Sequence, residues 1–333
     1  MTGPMVLMLV ALMMSMLMTR FLIWYALRQS LIDCPNERSS HVIPTPRGGG
    51  LSIGISCMLG LVVLGISSYV ALNLAVAFAG AGFLVAAVGF WDDHGHVPPK
   101  RRVAMHFIAA IWALCFVSGS VSFFHLSLLG WFFNVFLVVS VVWVLNLYNF
   151  MDGIDSIAAA EAIFVGGSAA AFFYASGATG LALFSILLVV STAGFLVWNL
   201  PPARVFMGDA GSGFLGVMIG MLALAGIKGS SVNIWVWLIL LGVFLVDATL
   251  TVARRMARGT RWFEAHRSHA YQHAAQRWNS HGKVTMAVFA INVLWLLPWA
   301  IAAWRLPHLG PLFAAIAFAP LVWGAFKLGA GKG

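Results

Sequence analysis

A chain of 333 residues that is 61% apolar and only 9% charged stands far from soluble domains, which carry about 25% charged residues; a soluble fold is excluded. The formal net charge of +9 could suit nucleic acid, but the basic residues sort by loop rather than into one patch, and no nucleic acid is expected as a partner. Cys34, Cys57 and Cys115 are too few and too scattered for a disulfide framework or a zinc site.

Crossing a bilayer takes about 20 apolar residues. About eleven spans are predicted in chain order: Met5–Leu27, Leu51–Val70, Leu74–Trp91, Val103–Val117, Leu126–Leu145, Ala158–Tyr174, Leu181–Trp198, Ser212–Ile227, Ile234–Val252, Val284–Trp304 and Leu309–Phe326. Without water in the hydrocarbon each segment must pair its own backbone groups, which makes the spans helices. The runs do not alternate as barrel strands would. The first is too long, and followed by too many others, to be a cleaved signal peptide. The expected fold is an all-α membrane protein, a polytopic bundle forming one integral-membrane domain over residues 1–333.

Charge orients the bundle. The connections 28–50, 92–102, 146–157, 199–211, 253–283 and the tail after Phe326 hold 16 of the 19 Lys and Arg, while the opposite set holds only Lys228 and Arg305. By the positive-inside rule the basic side is cytoplasmic, so the N-terminus is expected on the outer, periplasmic side and the C-terminus in the cytoplasm. All 10 Asp and Glu lie in these same loops or within about two helical turns of them. Solvating carboxylates would scatter over both faces; their crowding on one predicts a single polar site at the inner surface.

The motifs carry that site. Pro44-Thr45-Pro46-Arg47 followed by three glycines is a turn, and Arg47 can add a phosphate contact. Trp91-Asp92-Asp93 closes the third span beside Lys100-Arg101-Arg102; adjacent carboxylates suit a Mg²⁺ ligand pair or a base, or are an ordinary solvated helix end. Asn146, Asn149, Asp152 and Asp155 recur every three residues, so neighbours share a helix face, and ionisable groups at membrane depth are usually functional; Asp152-Gly153 also reads as a simple turn. Between Asn199 and Gly213, three glycines flank Asp209 and Ser212 just before a helix. Such a start can bind an anion, Asp209 can hold a metal there, and either residue can simply cap the helix. His266, His269 and His273 have helical spacing in the longest inner loop. Zinc is one reading, a basic helix on headgroups another, and the nearby arginines, Arg267 among them, favour anion binding. Asp247, two turns before Arg254 and Arg255, is either a buried partner for a basic residue or part of the site.

In order and together, Pro35–His41 with Pro44–Gly50, Asp92-Asp93, Asn146–Asp155, Val205–Gly216 and His266–Gln272 resemble the polyprenyl-phosphate N-acetylhexosamine-1-phosphate transferase family, most nearly its O-antigen-initiating branch. The resemblance implies a cytoplasmic cleft open to lipid, Mg²⁺ or Mn²⁺, a UDP-N-acetyl-aminosugar donor, undecaprenyl phosphate as acceptor and UMP as product; a homodimer stays open. It implies Asp209 as metal ligand with Asp92 and Asp93 beside it, Asp92 as the carboxylate that deprotonates the lipid phosphate, and Asn149, Asp152, Asp155 and Asn199 on the nucleotide side. Phe206 matches an aromatic placed against uracil, and His266 and His269 match the His-rich loop. Lys100, Arg102 and Arg267 are the basic contacts for phosphate. His41 stands nearest to where the peptidoglycan branch carries a lysine, and Arg47 replaces a neutral residue of that branch, which suggests a simpler sugar. The rival class is an ion-coupled transporter, which predicts midplane acids and broken helices. An intramembrane zinc hydrolase lacks its His-Glu-x-x-His.

Overall fold

Helices begin and end close to where the apolar runs do. The computed structural model describes residues 2–35, 43–95, 97–118, 127–229, 231–260 and 266–332. In order these are α1 (Thr2–Arg28), β1 (Ile32–Asp33), β2 (Thr45–Pro46), α2 (Leu51–Ile66), α3 (Leu72–His94), α4 (Pro99–Ser118), α5 (Leu128–Met151), α6 (Ile157–Ala175), α7 (Thr179–Asn199), α8 (Gly208–Lys228), α9 (Ile234–Leu240), α10 (Gly242–Ala257), α11 (Ala270–Trp278), α12 (His281–Ile291), a π turn (Asn292–Leu296), α13 (Leu297–Arg305) and α14 (Gly310–Leu328). The short antiparallel pair of β1 and β2, Ile32 opposite Pro46 and Asp33 opposite Thr45, is the one departure from an all-helical chain among the described residues.

Every predicted span corresponds to a helix or a helix pair, so the chain is an all-α polytopic membrane protein. Eight helices, or nine if a bent pair is one span, are long and apolar enough to cross a membrane among the described residues. This falls short of about eleven for physical reasons. α2 has only 16 residues, and α4 opens on Lys100, Arg101 and Arg102. The run Ile234–Val252 is not one helix: it breaks at Leu241, and α9 and α10 meet at 78°. Pro298 accounts for the π turn before α13, since it has no amide to continue the ladder.

α8 is the axis of the bundle, with 89% of its apolar window buried, and α2, α3, α4, α5 and α6 pack on it. Small residues allow such close backbone approach. A Cβ on Gly216 would lie 2.6 Å from the Cα of Leu145, and one on Gly89 would strike the backbone of Ala210. The end of α3 and the end of α5 are thereby pressed against the first turns of α8, which brings Asp92, Asp93, Asp152 and Asp209 to one end of the molecule.

Candidate active site

The site is assembled where α3 stops and α8 starts. Asp93 is buried, 5% exposed, and its two oxygens accept the amides of Asp209 (3.0 Å) and Ala210 (3.2 Å). The first turn of α8 is therefore capped by a carboxylate from another helix, not by Asp209 or Ser212. The anion position expected at this helix start is filled by Asp93 itself. The turn of residues 44–50 closes over the same place: Phe206 N–H donates to the Pro46 carbonyl, and Gly49 and Gly50 donate to the carbonyls of Phe206 and Met207. Gly208, at φ 75°, has no room for a side chain, since a Cβ would lie 2.7 Å from Asp93 Oδ2 and 2.9 Å from the Gly48 Cα. Arg47 donates to the Asp93 carbonyl and so braces the α3 end.

Asp92 points elsewhere than its neighbour. Its Oδ1 accepts the Val97 amide at 2.8 Å, and its Oδ2 pairs with Arg102, whose same Nη1 reaches Asp209 Oδ2 at 2.8 Å. Three segments distant in sequence thus meet on one guanidinium. Lys100, two residues earlier, is exposed and apart from this pairing.

The stripe predicted from Asn146 to Asp155 ends early. α5 stops at Met151 with Asp152 as its C-cap, and Ser156 takes a left-handed φ of 68° before α6 begins, so Asp155 leaves the helix that carries Asn149. Asp152 is half-buried and has no hydrogen-bond partner among the described residues. Burial first, then the charges of Asp209, Asp93 and Asp155, push its carboxyl well above the usual range. Asp155 is tied down: its Oδ2 accepts the Ala203 amide at 3.1 Å and its Oδ1 lies 3.1 Å from His281 Nδ1. Asn199, 3% exposed, clamps two loops, accepting the Ser156 amide at 2.9 Å and donating to the Val205 carbonyl at 2.9 Å. Expected to face substrate, it instead joins the loop after α5 to the loop before α8.

A cleft of about 1080 Å³ opens beside these loops, lined by Thr45, Asp155, Ala203, Phe206, Ser280, His281, Lys283 and Met286 among others. Sequence reasoning missed the α11–α12 side of this cleft. Its signal was the polar turn Asn279-Ser280-His281-Gly282 directly after the His loop.

The His loop lies against the end of α5. Tyr271 Oη donates to the Phe150 carbonyl at 3.0 Å, and a Cβ on Gly153 would collide with that hydroxyl. His266 and His269 stack with centroids 5.0 Å apart, but they precede α11 instead of sharing a helix face with His273. No three His, Cys, Asp or Glu groups among the described residues are arranged as a metal cluster, so the zinc reading gains nothing. Burial, then His269 and Arg255, push His266 down to about 4 against the pull of Asp247, so it is neutral at pH 7. Arg267 is half-buried beside them. His41 lies outside the described residues.

Similarity to known proteins places this geometry. Residues 75–227 match the family described as Glycosyl transferase family 4, a stretch that holds Asp92, Asp93, Arg102, Asp152 and Asp209 and stops before the His loop. Over 278 residues the chain is 30% identical to the probable undecaprenyl-phosphate N-acetylglucosaminyl 1-phosphate transferase of Bacillus subtilis (strain 168), covering 81% of this chain and 76% of the relative. The chain belongs to the polyprenyl-phosphate N-acetylhexosamine-1-phosphate transferase family. Two further members are the undecaprenyl-phosphate alpha-N-acetylglucosaminyl 1-phosphate transferase of Salmonella typhi, 28% identical over 74% of this chain and 69% of the relative, and the phospho-N-acetylmuramoyl-pentapeptide-transferase of Hydrogenobaculum sp. (strain Y04AAS1), 27% identical over 79% and 80%. In this transferase family member the carboxylates of α3 and α8 and the loop after α5 form one polar end of an otherwise apolar bundle.

Proposed function

We propose that this protein transfers N-acetylhexosamine 1-phosphate from its UDP derivative to undecaprenyl phosphate at the cytoplasmic face of the bacterial inner membrane, releasing UMP. The donor sugar is N-acetylglucosamine or a deoxy-aminosugar such as N-acetylfucosamine or N-acetylquinovosamine, and the lipid product starts an O-antigen or other envelope polysaccharide. The observation that carries the reading is the meeting of Asp92 and Asp209 on Arg102, with Asp152 close enough to feel the charge of Asp209, at the end of the bundle where the wide cleft opens.

The donor set fits a divalent ion. Two carboxylates, Asp92 and Asp209, share one guanidinium, with Asp209 and Asp93 near enough for their charge to reach Asp152, and hard oxygen donors of this kind are what Mg²⁺ takes alongside substrate phosphates. Asp209 and Asp92 would hold Mg²⁺ or Mn²⁺, with Asp93 reserved for the α8 amides. When bound, the ion would neutralise charge on the pyrophosphate.

The residues of the chain do the rest. Asp92 takes the proton from the acceptor phosphate. An oxygen of that phosphate then attacks the β-phosphorus of the UDP-sugar, the bond from that phosphorus to the bridging oxygen breaks, and UMP leaves with the electron pair. Arg102 follows the charge as it moves between phosphates. Phe206, on the cleft wall, offers its ring to uracil, and Asn149 and Asp155 border the nucleotide. His266 and His269 face the phosphates or the sugar; a His266 that is neutral serves by hydrogen bonding rather than by charge. The 78° break between α9 and α10 is a feature that ion-coupled transporters share, but the clustered carboxylates Asp92, Asp93, Asp152 and Asp209 sit at helix ends and not at that break.

The test is UMP release from membranes supplied with undecaprenyl phosphate and a panel of UDP-N-acetyl sugars, with and without EDTA. Release should occur with one donor, stop with EDTA, and be abolished in Asp209→Asn and Asp92→Asn proteins that remain folded. Full activity in both variants would remove the mechanism.

A further inference from the structure

Asp247 lies outside the carboxylate cluster, and the chemistry above does not use it. It sits in α10, 4% exposed. Its Oδ1 accepts the Ala270 amide at 2.8 Å and its Oδ2 the Tyr271 amide at 2.9 Å, so it caps α11 from a neighbouring helix. Oδ1 also accepts the Thr251 hydroxyl at 3.2 Å and lies 3.4 Å from His269 Nδ1.

Burying a carboxylate is costly, and a helix start is ordinarily capped by a Ser, Thr, Asp or Asn at its own first position. Here that position is His269. His269 and Gln272 form a capping box across this turn, and Asp247 adds a remote carboxylate that accepts the first amides of α11 and lies against the imidazole. The start of α8 is built the same way: Asp209 stands in the first turn, and Asp93 supplies the cap from α3. Both helices present a site residue at the start and are held there by a buried aspartate from elsewhere. Around His269 the remaining freedom is small. Its ring stacks on His266 and lies 6.4 Å from the Phe150 ring. The Ser268 carbonyl accepts the Gly331 amide at 2.7 Å, and Arg254 and Arg258 in turn hold the carbonyls of Ala330 and Gly331.

We propose that Asp247 is a positioning residue for the transfer reaction: it sets the turn that carries His269 and holds the buried ring from its Nδ1 side. A partner behind a working imidazole sets its orientation and tautomer. The inference deepens the reading given above and rests on it, because it requires that His269 serve the reaction.

The experiment compares Asp247→Asn, His269→Ala and the double variant in the purified protein, with the same panel of UDP-N-acetyl sugars and undecaprenyl phosphate in detergent micelles, kinetics being measured on the donor that the parent uses. Asparagine keeps the size of the side chain and one acceptor oxygen. In Asp247→Asn, kcat measured below the unfolding transition should fall at least about tenfold while KM for the UDP-sugar stays within about twofold; Tm should drop by several degrees, because one of the two capped amides loses its acceptor. In the double variant the loss should equal that of His269→Ala alone, because residues that act through one another are not additive. An unchanged kcat in Asp247→Asn, or losses that add in the double variant, would overturn the proposal, the second by reducing Asp247 to a helix cap. If His269→Ala transfers at the parent rate, the inference fails while UMP release by the parent still upholds the transferase reading. If the parent releases no UMP, that reading fails first and takes the inference with it.

Discussion

Asp92 and Asp93 are chemically identical neighbours, and the structure assigns them different work, so exchanging each for asparagine should damage different things. Asp93 is 5% exposed and holds two amides of α8 at 3.0 and 3.2 Å. Asparagine keeps one acceptor and turns an N–H₂ toward the second amide. One hydrogen bond to a charged group is lost, about 1.5–3 kcal/mol, and a buried donor is left unpaired at about 1–3 kcal/mol. These overlap, so Asp93→Asn should lose about 2–4 kcal/mol and several degrees of Tm. Asp92→Asn still accepts from Val97 and leaves Arg102 its pairing with Asp209, so its stability should change by about 1 kcal/mol or less, with transfer abolished. Tryptophan fluorescence during thermal unfolding in detergent reads the first quantity and UMP release the second. Equal Tm values for the two variants would refute the division of labour, and an Asp93→Asn protein as stable as the parent yet inactive would place Asp93 on the substrate instead.

Other consequences follow from the same contacts. Asn199→Ala strands the Ser156 amide and the Val205 carbonyl, at about 1–3 kcal/mol; Tm should drop, and a variant of normal Tm with a raised KM would return Asn199 to the substrate side. Phe206→Ala removes the aromatic wall of the cleft and should raise KM for the UDP-sugar about tenfold or more, consistent with about 1–3 kcal/mol for stacking on a base, with kcat at saturation little changed; titration of initial rates decides it. His266, held near 4 against about 6.5 when unfolded, contributes stability that is complete above about pH 6.5 and is lost as pH falls toward 4. The protection factors of amides 266–272, exchange rates taken relative to the intrinsic rate at each pH, should therefore fall over that window, and should not in His266→Gln.

The sequence by itself determined the membrane class, the order of the helices and the common end at which the acids gather. Each follows from one-dimensional quantities: the length of an apolar run, the sign of loop charge and the identity of a short motif. Family resemblance also nominated Asp92, Asp209 and Phe206 for the reaction. Only the tertiary structure decided how those residues divide. Asp93 against Asp92, the turn that takes Asp155 off the helix of Asn149, the clamp at Asn199 and the cap at Asp247 all depend on which backbone amides another segment brings within 3 Å or so. Such partners lie 5 to 117 residues away along the chain, and no local pattern encodes them. The break at Leu241 was likewise invisible, because Ile234–Val252 is apolar throughout and hydropathy measures how much of a run prefers lipid, not whether it stays straight.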